Sequence, residues 1–256
     1  MADLLAELRN SILWLTINRP ERRNAITPAV LDGIGDNLAR ARKDASIRAV
    51  VLTGGGDQAF CAGADLQTGS SFSFDYTQPT LKFADLLREA RAMTTPLIAR
   101  VNGACMAGGI GLLAMCDLAI ASRNARFGLP EVKVGVFPMM VIAELQELIG
   151  KRKLFELSIT GKPIDADEAA RIGLINHAVE PEGLDARVEE LLQSITGSSH
   201  TILARGLYVL KRARQMPPEA ALAFAEGQIG LLALTEDSRE GQAAFREKRK
   251  PQWRHR

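Results

Sequence analysis

The most informative stretch of the chain is VNGACMAGGIGL, residues 101–112. It follows an apolar run that predicts a strand over 96–101, and its glycines open a predicted helix. Backbone N–H groups in the first turn of a helix have no partner within the helix, and the helix dipole adds partial positive charge there. Because glycine allows a ligand to approach the backbone closely, this turn suits an anion or a developing oxyanion. Gly111, one turn further on, offers no side chain for proton transfer.

The composition is that of an ordinary folded protein. The 256 residues fit one large or two small domains, and 46% of them are hydrophobic, enough to bury a substantial core. A net charge of +2 gives no strong field for nucleic acid. The 3 cysteines are odd in number and lie in apolar or glycine-rich surroundings, which favours free thiols in a reducing compartment. No metal-ligand spacing joins them to the 3 histidines. We therefore expect a cytoplasmic protein with no metal site, no nucleic-acid partner and no membrane segment.

The predicted elements alternate between strands and helices. Strands are predicted at 11–18, 48–53, 96–101 and 116–121, and helices at 27–43 and 81–93. Thr27 should cap the first of these helices, with Pro28 in its first turn. Residues 67–80, rich in Ser, Thr, Gln and Gly, predict a mobile loop, and the chain from about Ile142 onward is mostly helical. This pattern predicts an α/β core with a helical appendage.

Three segments carry candidate chemistry. The small residues of 59–66 (AFCAGADL) would expose backbone N–H groups after a strand, as would Gly108 and Gly109. Two such turns together form an oxyanion hole, which stabilises charge on a carbonyl oxygen, although tight packing explains either turn taken alone. The third segment, 127–138, holds Glu131 between apolar residues. Burial there would raise its pKa towards the range useful for proton transfer, unless Glu131 is a surface or salt-bridged residue.

A series of motifs runs through nearly the whole chain in a specific order. It consists of Asn18-Arg19-Pro20, Asn24-Ala25, 60–66 (FCAGADL), 101–103 (VNG), Gly108-Gly109, 116–119 (CDLA), 127–128 (FG), Pro130-Glu131, Gly135, 169–176 (AARIGLIN) and 238–251. This order resembles the crotonase (enoyl-CoA hydratase/isomerase) superfamily. The resemblance implies an α/β fold, with a crotonase-like spiral of ββα units over 1–195 and a C-terminal helical trimerisation region over 196–256. It also implies a homotrimer or a dimer of trimers.

The same resemblance implies where the site residues lie. The two oxyanion-hole amides fall on Ala64 and Gly108, which would hold the thioester oxygen while an enolate forms. Arg22 and Arg23 lie where the family contacts the nucleotide end of coenzyme A, although both are equally explained as solvated side chains. The other residues that would line the coenzyme A or acyl site are Ala62, Asp65, Leu66, Gly111, Met139, Phe245 and Lys248.

The glutamates decide which reaction is expected. Hydratases of the family use two glutamates to place and activate a water; Glu131 matches the second, and Gly111 stands at the position of the first. Met139 begins an apolar run that would either make the acyl pocket drier or pack in the core. One glutamate with an oxyanion hole can move a proton from carbon 2 to carbon 4 of a 3-enoyl thioester. The favoured reaction is therefore Δ3,Δ2-enoyl-CoA isomerisation, with Glu131, Ala64 and Gly108 as the catalytic residues.

Two alternatives stay open at this point. A 2-enoyl-CoA hydratase would need another carboxylate, and the candidates are Asp65, Glu144 and Glu147. A non-catalytic CoA-binding family member would keep the binding residues without turnover. In every case the expected partner is an acyl-CoA thioester, and because coenzyme A is part of that substrate no separate cofactor is expected.

Overall fold

Successive turns of the chain each add one strand to each of two sheets and then a helix. The computed structural model describes residues 2–65, 77 and 80–256. The first such unit is β3 (Ala49–Gly54), β4 (Ala59–Cys61) and α2 (Lys82–Ala92). The next two are β5 (Leu97–Val101), β6 (Ala104–Met106) and α3 (Gly108–Ala114), then β7 (Leu118–Ser122), β8 (Arg126–Gly128) and α4 (Met139–Leu145). The predicted spiral of ββα units is confirmed.

Both sheets are mainly parallel, because successive turns of the spiral run in the same direction. The first sheet has the strand order β1-β2-β3-β5-β7-β10, and the second has the order β4-β6-β8-β9. The strands not yet placed are β1 (Leu4–Arg9), β2 (Ile12–Ile17), β9 (Ile164–Asp165) and β10 (His177–Val179). Antiparallel pairing occurs between β1 and β2, which form a hairpin, and between β8 and β9.

The remaining helices surround and extend this core. The predicted first helix, α1 (Pro28–Lys43), is confirmed, and the Thr27 hydroxyl accepts a hydrogen bond from the Val30 N–H at 3.2 Å. The others are α5 (Lys151–Thr160), α6 (Ala166–Arg171), α7 (Leu184–Thr196), α8 (His200–Ala213), α9 (Pro218–Ala233) and α10 (Glu236–Arg246). In the part of the chain that the structure describes, no helix is long and apolar enough to cross a membrane. The division of the chain at residue 195 stays a prediction.

Several short strands escaped prediction from the sequence. Segment 59–66 was expected to be a turn, but it begins with β4, and β6 precedes the glycine-opened helix. Strands β1, β9 and β10 were also missed, the last two in a part of the chain predicted to be mostly helical. Strands β4, β6, β9 and β10 have only two or three residues, so they show no alternating pattern, and their pairing partners lie far away in sequence. The predicted loop at 67–80 lies mostly outside the described residues.

The hydrophobic core lies on both faces of the first sheet. Every residue of β3 is buried, which explains its uninterrupted apolar run and fits a parallel strand covered on both sides. On one face, Ile12, Val51 and Ile98 pack against α7 residues that include Val188 and Leu192. The larger cluster on the other face includes residues of α1, α2, α3 and the second sheet. This second face therefore carries the second sheet.

One buried asparagine joins the loops at the N-terminal side of the spiral. Asn24 is fully buried and has a φ of +55°, a conformation that asparagine tolerates better than most residues. Its side-chain oxygen Oδ1 accepts a hydrogen bond from the backbone N–H of Arg19 at 3.0 Å. Its amide donates to the carbonyls of Gly55 at 2.9 Å and Ala59 at 2.7 Å. Asn24 thereby connects the loop before α1 with both ends of the β3–β4 connection.

We predict that Asn24→Ala lowers the free energy of unfolding by about 2–4 kcal/mol, because it leaves buried polar groups without hydrogen-bond partners. Urea unfolding followed by circular dichroism measures the change. Asn37→Ala is the matched control, since its amide bonds only the Gly33 carbonyl on α1, and it should cost less than about 1 kcal/mol. Equal losses in the two variants would show that the hydrogen bonds of the buried Asn24 stabilise the fold no more than an ordinary bond within a helix.

Candidate active site

Three neighbouring strands of the second sheet end at the same edge and deliver the predicted catalytic residues. β4 pairs in parallel with β6, and β6 with β8. Ala64 comes three residues after β4, Gly108 two residues after β6 and Glu131 three residues after β8. The Ala107 N–H donates to the Gly128 carbonyl at 2.9 Å, which ties the ends of β6 and β8 together. The carboxyl edge of a parallel sheet is a common place for a binding site.

The turns that carry the two candidate amides touch each other. A Cβ atom placed on Gly63 would lie 2.7 Å from the Ala107 Cβ and 3.3 Å from the Gly108 nitrogen. One placed on Gly108 would lie 3.8 Å from the Ala64 nitrogen. Gly63 also has a φ of +95°, which disfavours any side chain. The structure therefore brings the N–H groups of Ala64 and Gly108 into one small region, as an oxyanion hole requires.

Both amides are open to a ligand. Within the described residues, no backbone hydrogen bond uses the N–H of Ala64 or Gly108. Ala64 is exposed and Gly108 is partly exposed. The residue between β6 and Gly108, Ala107, has a φ of +52° and a ψ of −125°. Such strain in a non-glycine residue is held only by its surroundings, and it clusters at functional sites. Here it orients the peptide that carries the Gly108 N–H.

A buried ion pair fixes the segment that carries Ala64. The Asp65 carboxylate lies 2.9 Å from a guanidinium nitrogen of Arg19, and both side chains are largely buried. Arg19 also donates to the Ala25 carbonyl at 2.8 Å. Next to it, Ile26 donates to the Gly63 carbonyl and accepts from the Asp65 N–H, at 2.8 and 3.0 Å. The structure thus places Asp65 among the contacts that fix the segment of Ala64, and its contact with coenzyme A stays a prediction.

The second glycine of the pair at 108–109 has a different role from the first. A Cβ atom on Gly109 would overlap the carbonyl oxygen of Cys61. Glycine is needed there so that α3 can pack directly on β4. Tight packing therefore explains Gly109, whereas an accessible amide explains Gly108.

Glu131 is a partly buried carboxylate that lacks an ionic partner among the described residues. It lies in a 3-10 turn, Pro130–Val134, that follows β8. Its Oε2 atom is buried and has no hydrogen-bond partner. Burial raises the pKa of its carboxyl group above the ordinary value. A buried, unpaired and ionisable group costs stability, and such groups concentrate at functional sites.

An aromatic side chain fills the space beside Gly111. A Cβ atom on Gly111 would lie 2.6 Å from Cζ of Phe83 on α2 and 3.3 Å from Cγ2 of Val141 on α4. No carboxylate fits at this position while the ring stays in place. The sequence reasoning missed Phe83, because nothing in the helical pattern of α2 indicates which residue of α3 it contacts.

The three candidates for a second carboxylate all have cationic partners. Asp65 pairs with Arg19 as described above. Glu144 lies 3.0 Å from Arg91, and Glu147 lies 2.9 Å from Arg214. Among these four acidic residues, Glu131 is thus the one without a cationic partner in the described part of the chain.

Comparisons with known proteins show the family of this chain. A family model described as enoyl-CoA hydratase/isomerase matches residues 7–256. The short-chain-enoyl-CoA hydratase of Clostridium acetobutylicum is 34% identical over 253 residues, covering 97% of this chain and 96% of the relative. The (E)-benzylidenesuccinyl-CoA hydratase of Thauera aromatica is 32% identical over 249 residues, covering 97% of each chain. The crystal structure of an enoyl-CoA hydratase from Mycobacterium smegmatis superposes with a TM-score of 0.92, at 33% identity and 99% coverage of both chains.

This chain belongs to the enoyl-CoA hydratase/isomerase family. Its fold is that of the crotonase superfamily, and it is an acyl-CoA enzyme of that family. The names of the relatives mostly say hydratase, and they support the hydration alternative better than the isomerisation favoured from the sequence.

The remaining predicted site residues that the structure describes in this member of the enoyl-CoA hydratase/isomerase family are exposed or partly exposed. Arg22 and Arg23 are exposed at the end of a 3-10 turn, and Ala62 is partly exposed beside it, with its N–H donating to the Arg23 carbonyl at 3.0 Å. Met139 is exposed at the start of α4, and Phe245 and Lys248 are exposed at the end of α10 and just beyond it. Leu66 lies outside the described residues. Their contacts with coenzyme A stay predictions.

We predict that kcat/KM falls at acid pH with an apparent pKa above the ordinary glutamate value, because only ionised Glu131 can accept a proton. The same shift opposes folding. Stability is unaffected below the ordinary pKa, falls as the pH rises towards the raised pKa, and stays lower above it. A pH–rate profile and thermal unfolding across that range measure the two effects. Glu131→Gln should flatten the stability profile; an unchanged profile would remove the unpaired carboxylate as its cause.

Proposed function

We propose that this chain is an acyl-CoA enzyme in which Glu131 is the single proton-transferring group, and that its reaction is Δ3,Δ2-enoyl-CoA isomerisation. Two observations carry the proposal. Oε2 of the partly buried Glu131 has no hydrogen-bond partner, and an aromatic ring lies beside Gly111, the position at which the family resemblance places the other glutamate. A hydratase must both position a water and transfer its protons. An isomerase needs only one base that returns the proton it removes.

The proposed reaction uses each element of the site once. The N–H groups of Ala64 and Gly108 bind the thioester oxygen. Glu131 removes a proton from carbon 2, and the electrons of that C–H bond move into an enolate stabilised by the two amides. The protonated Glu131 then gives the proton to carbon 4, and the double bond between carbons 3 and 4 becomes one between carbons 2 and 3. Each donor in such an oxyanion hole is worth about 10²–10³ in rate.

Hydration of a 2-enoyl-CoA is the second candidate, and the names of the relatives favour it. In that reaction water adds its oxygen to carbon 3 and a proton to carbon 2. Glu131 alone would then have to orient the water and transfer the proton. A non-catalytic CoA-binding protein is the third candidate, for which an unpaired buried carboxylate has no purpose.

We also propose a cytoplasmic location, since Cys61, Cys105 and Cys116 are free thiols.

We predict that the wild type converts a 3-enoyl-CoA into the 2-enoyl-CoA faster than it hydrates crotonyl-CoA, with both products identified by chromatography. Glu131→Gln should lower isomerisation by about 10²–10⁴-fold while keeping thioester affinity nearly unchanged. Glu189→Gln on the exposed surface of α7 is the matched control for loss of one carboxylate, and it should keep full activity.

Three outcomes would contradict this proposal. Crotonyl-CoA hydration at roughly 10²–10³ per second, faster than isomerisation, would make the enzyme a hydratase. Thioester binding without turnover of either substrate would make it a non-catalytic binder. Full isomerase activity in Glu131→Gln would remove this glutamate from the mechanism.

We also propose a homotrimer or dimer of trimers, assembled through the C-terminal helices. Helix α9 has the mostly apolar sequence PEAALAFAEGQIGLLA, yet none of its residues is buried. Leu222 and Ile229 are 60% and 64% exposed. A helix that is apolar on all sides is normally covered by other protein. Another copy of the chain is the expected cover, because the family resemblance implies assembly through this region.

We predict that Ile229→Asp shifts the protein from the assembled state to the monomer, because a charge on this face loses its hydration when the copies associate. Sedimentation velocity measures the mass. Leu5→Asp is the control, since Leu5 is 45% exposed on β1, away from the C-terminal helices, and it should leave the mass unchanged. A wild type that sediments as a monomer would refute the assembly.

A further inference from the structure

The ring of Phe83 lies beside Gly111, the position at which hydratases of the family carry their first glutamate. Phe83 thereby closes the acyl side of the site. Its ring is half-buried and packs against the main core, and its Cζ atom points directly at Gly111. Gly111 lies three residues after Gly108 on α3, so both face the same side of that helix. An acyl chain whose thioester oxygen binds the Gly108 amide therefore passes close to Gly111 and the ring of Phe83.

This side of the site is lined by hydrocarbon. The side-chain atoms nearest to the Cβ positions of Gly108 and Gly111 belong to Ile26, Phe83 and Val141. Ile26 lies 3.1 Å from the Gly108 position, and the other two lie within 3.3 Å of the Gly111 position. None of these side chains has a donor or acceptor that could hold a water. A water at carbon 3 of the substrate would lose hydrogen bonds without gaining new ones.

Helix α2 is anchored so that Phe83 stays in this place. Arg91, at the other end of α2, donates to the Ala143 carbonyl at 3.2 Å and pairs with Glu144 on α4. The Glu144 side chain is only 10% exposed, so this pair is better shielded from solvent than an ordinary surface pair. Lys211 on α8 donates to the Ala90 carbonyl at 3.3 Å. The end of α2 opposite Phe83 is thus held by contacts to two neighbouring helices.

We infer that Phe83 is a specificity-determining residue, which excludes water from carbon 3 and selects acyl groups that are hydrocarbon at carbons 3 and 4. The inference rests on the proposed function, since it explains why the 2-enoyl-CoA that forms when carbon 4 is protonated is released without adding water at carbon 3. Hydration would form a C–O bond at carbon 3 and a C–H bond at carbon 2, and the water that supplies both has no place beside the ring.

The central experiment measures how product divides between the isomerised 2-enoyl-CoA and the hydrated 3-hydroxyacyl-CoA. Phe83→Ala should raise the share of hydration relative to isomerisation by about 10–100-fold, and Phe83→Leu by less, because a smaller wall admits water. Leu87→Ala is the matched control on α2, since Leu87 is buried in the core. It should lower stability by a similar amount and leave the product ratio unchanged.

A pair of variants tests the contact with Gly111 directly. Gly111→Glu alone should gain no hydration, because the new side chain collides with the ring. Combined with Phe83→Ala, the same glutamate has space, and hydration should rise above that of either single variant, which is non-additive behaviour expected of residues in contact. Binding gives a readout without turnover. The wild type should bind a saturated acyl-CoA more tightly than the 3-hydroxyacyl-CoA of equal length, and Phe83→Ala should narrow this difference.

The results that would overturn the inference differ from those that would overturn the proposed function. A wild type that hydrates and does not isomerise refutes the proposed function before any variant is made. A wild type that isomerises, together with a product ratio unchanged in Phe83→Ala, refutes the role of Phe83 alone. Gly111→Glu gaining hydration with the ring in place would also refute it, as would equal shifts in the product ratio for Phe83→Ala and Leu87→Ala.

Discussion

The close approach of two backbone turns is the constraint on which the rest of the site depends. The turn at Gly63 meets Ala107 and Gly108 so closely that a single added methyl group would force the segments apart. Parallel pairing of β4 with β6 sets this approach, and the overlap of a Gly109 Cβ with the Cys61 carbonyl shows that α3 packs directly on β4. These contacts bring together the two amides that the proposed oxyanion hole requires.

The reaction proposed for the site depends on two side chains, Glu131 and Phe83. Glu131 has a buried oxygen without a hydrogen-bond partner, whereas Asp65, Glu144 and Glu147 each pair with an arginine. Phe83 removes the space for a second carboxylate. The names of the relatives point to hydration and the site geometry to isomerisation, and both readings share the same first step. That shared step is stabilisation of a thioester enolate, which is why one fold serves several reactions.

Part of the fold could be predicted because its signals are local. The Thr27 cap with Pro28 defines the start of α1, and the run at 48–53 identifies β3 because a strand buried on both faces must be apolar throughout. The short strands β4, β6 and β8 could not be predicted, since their stability comes from neighbours more than twenty residues away. The same holds for Asn24, whose three hydrogen bonds reach two separate segments of the chain.

The sequence by itself determined the longer strands and helices of the core, the likeness to the crotonase superfamily and the residue types available at 64, 108, 111 and 131. Those properties depend on local spacing and on which side chains exist. Only the tertiary structure decided that Asp65 pairs with Arg19, that Glu131 has no ionic partner among the described residues and that Phe83 covers Gly111. Each of these depends on which distant segment packs against the residue, and packing in three dimensions leaves no periodic trace in the chain.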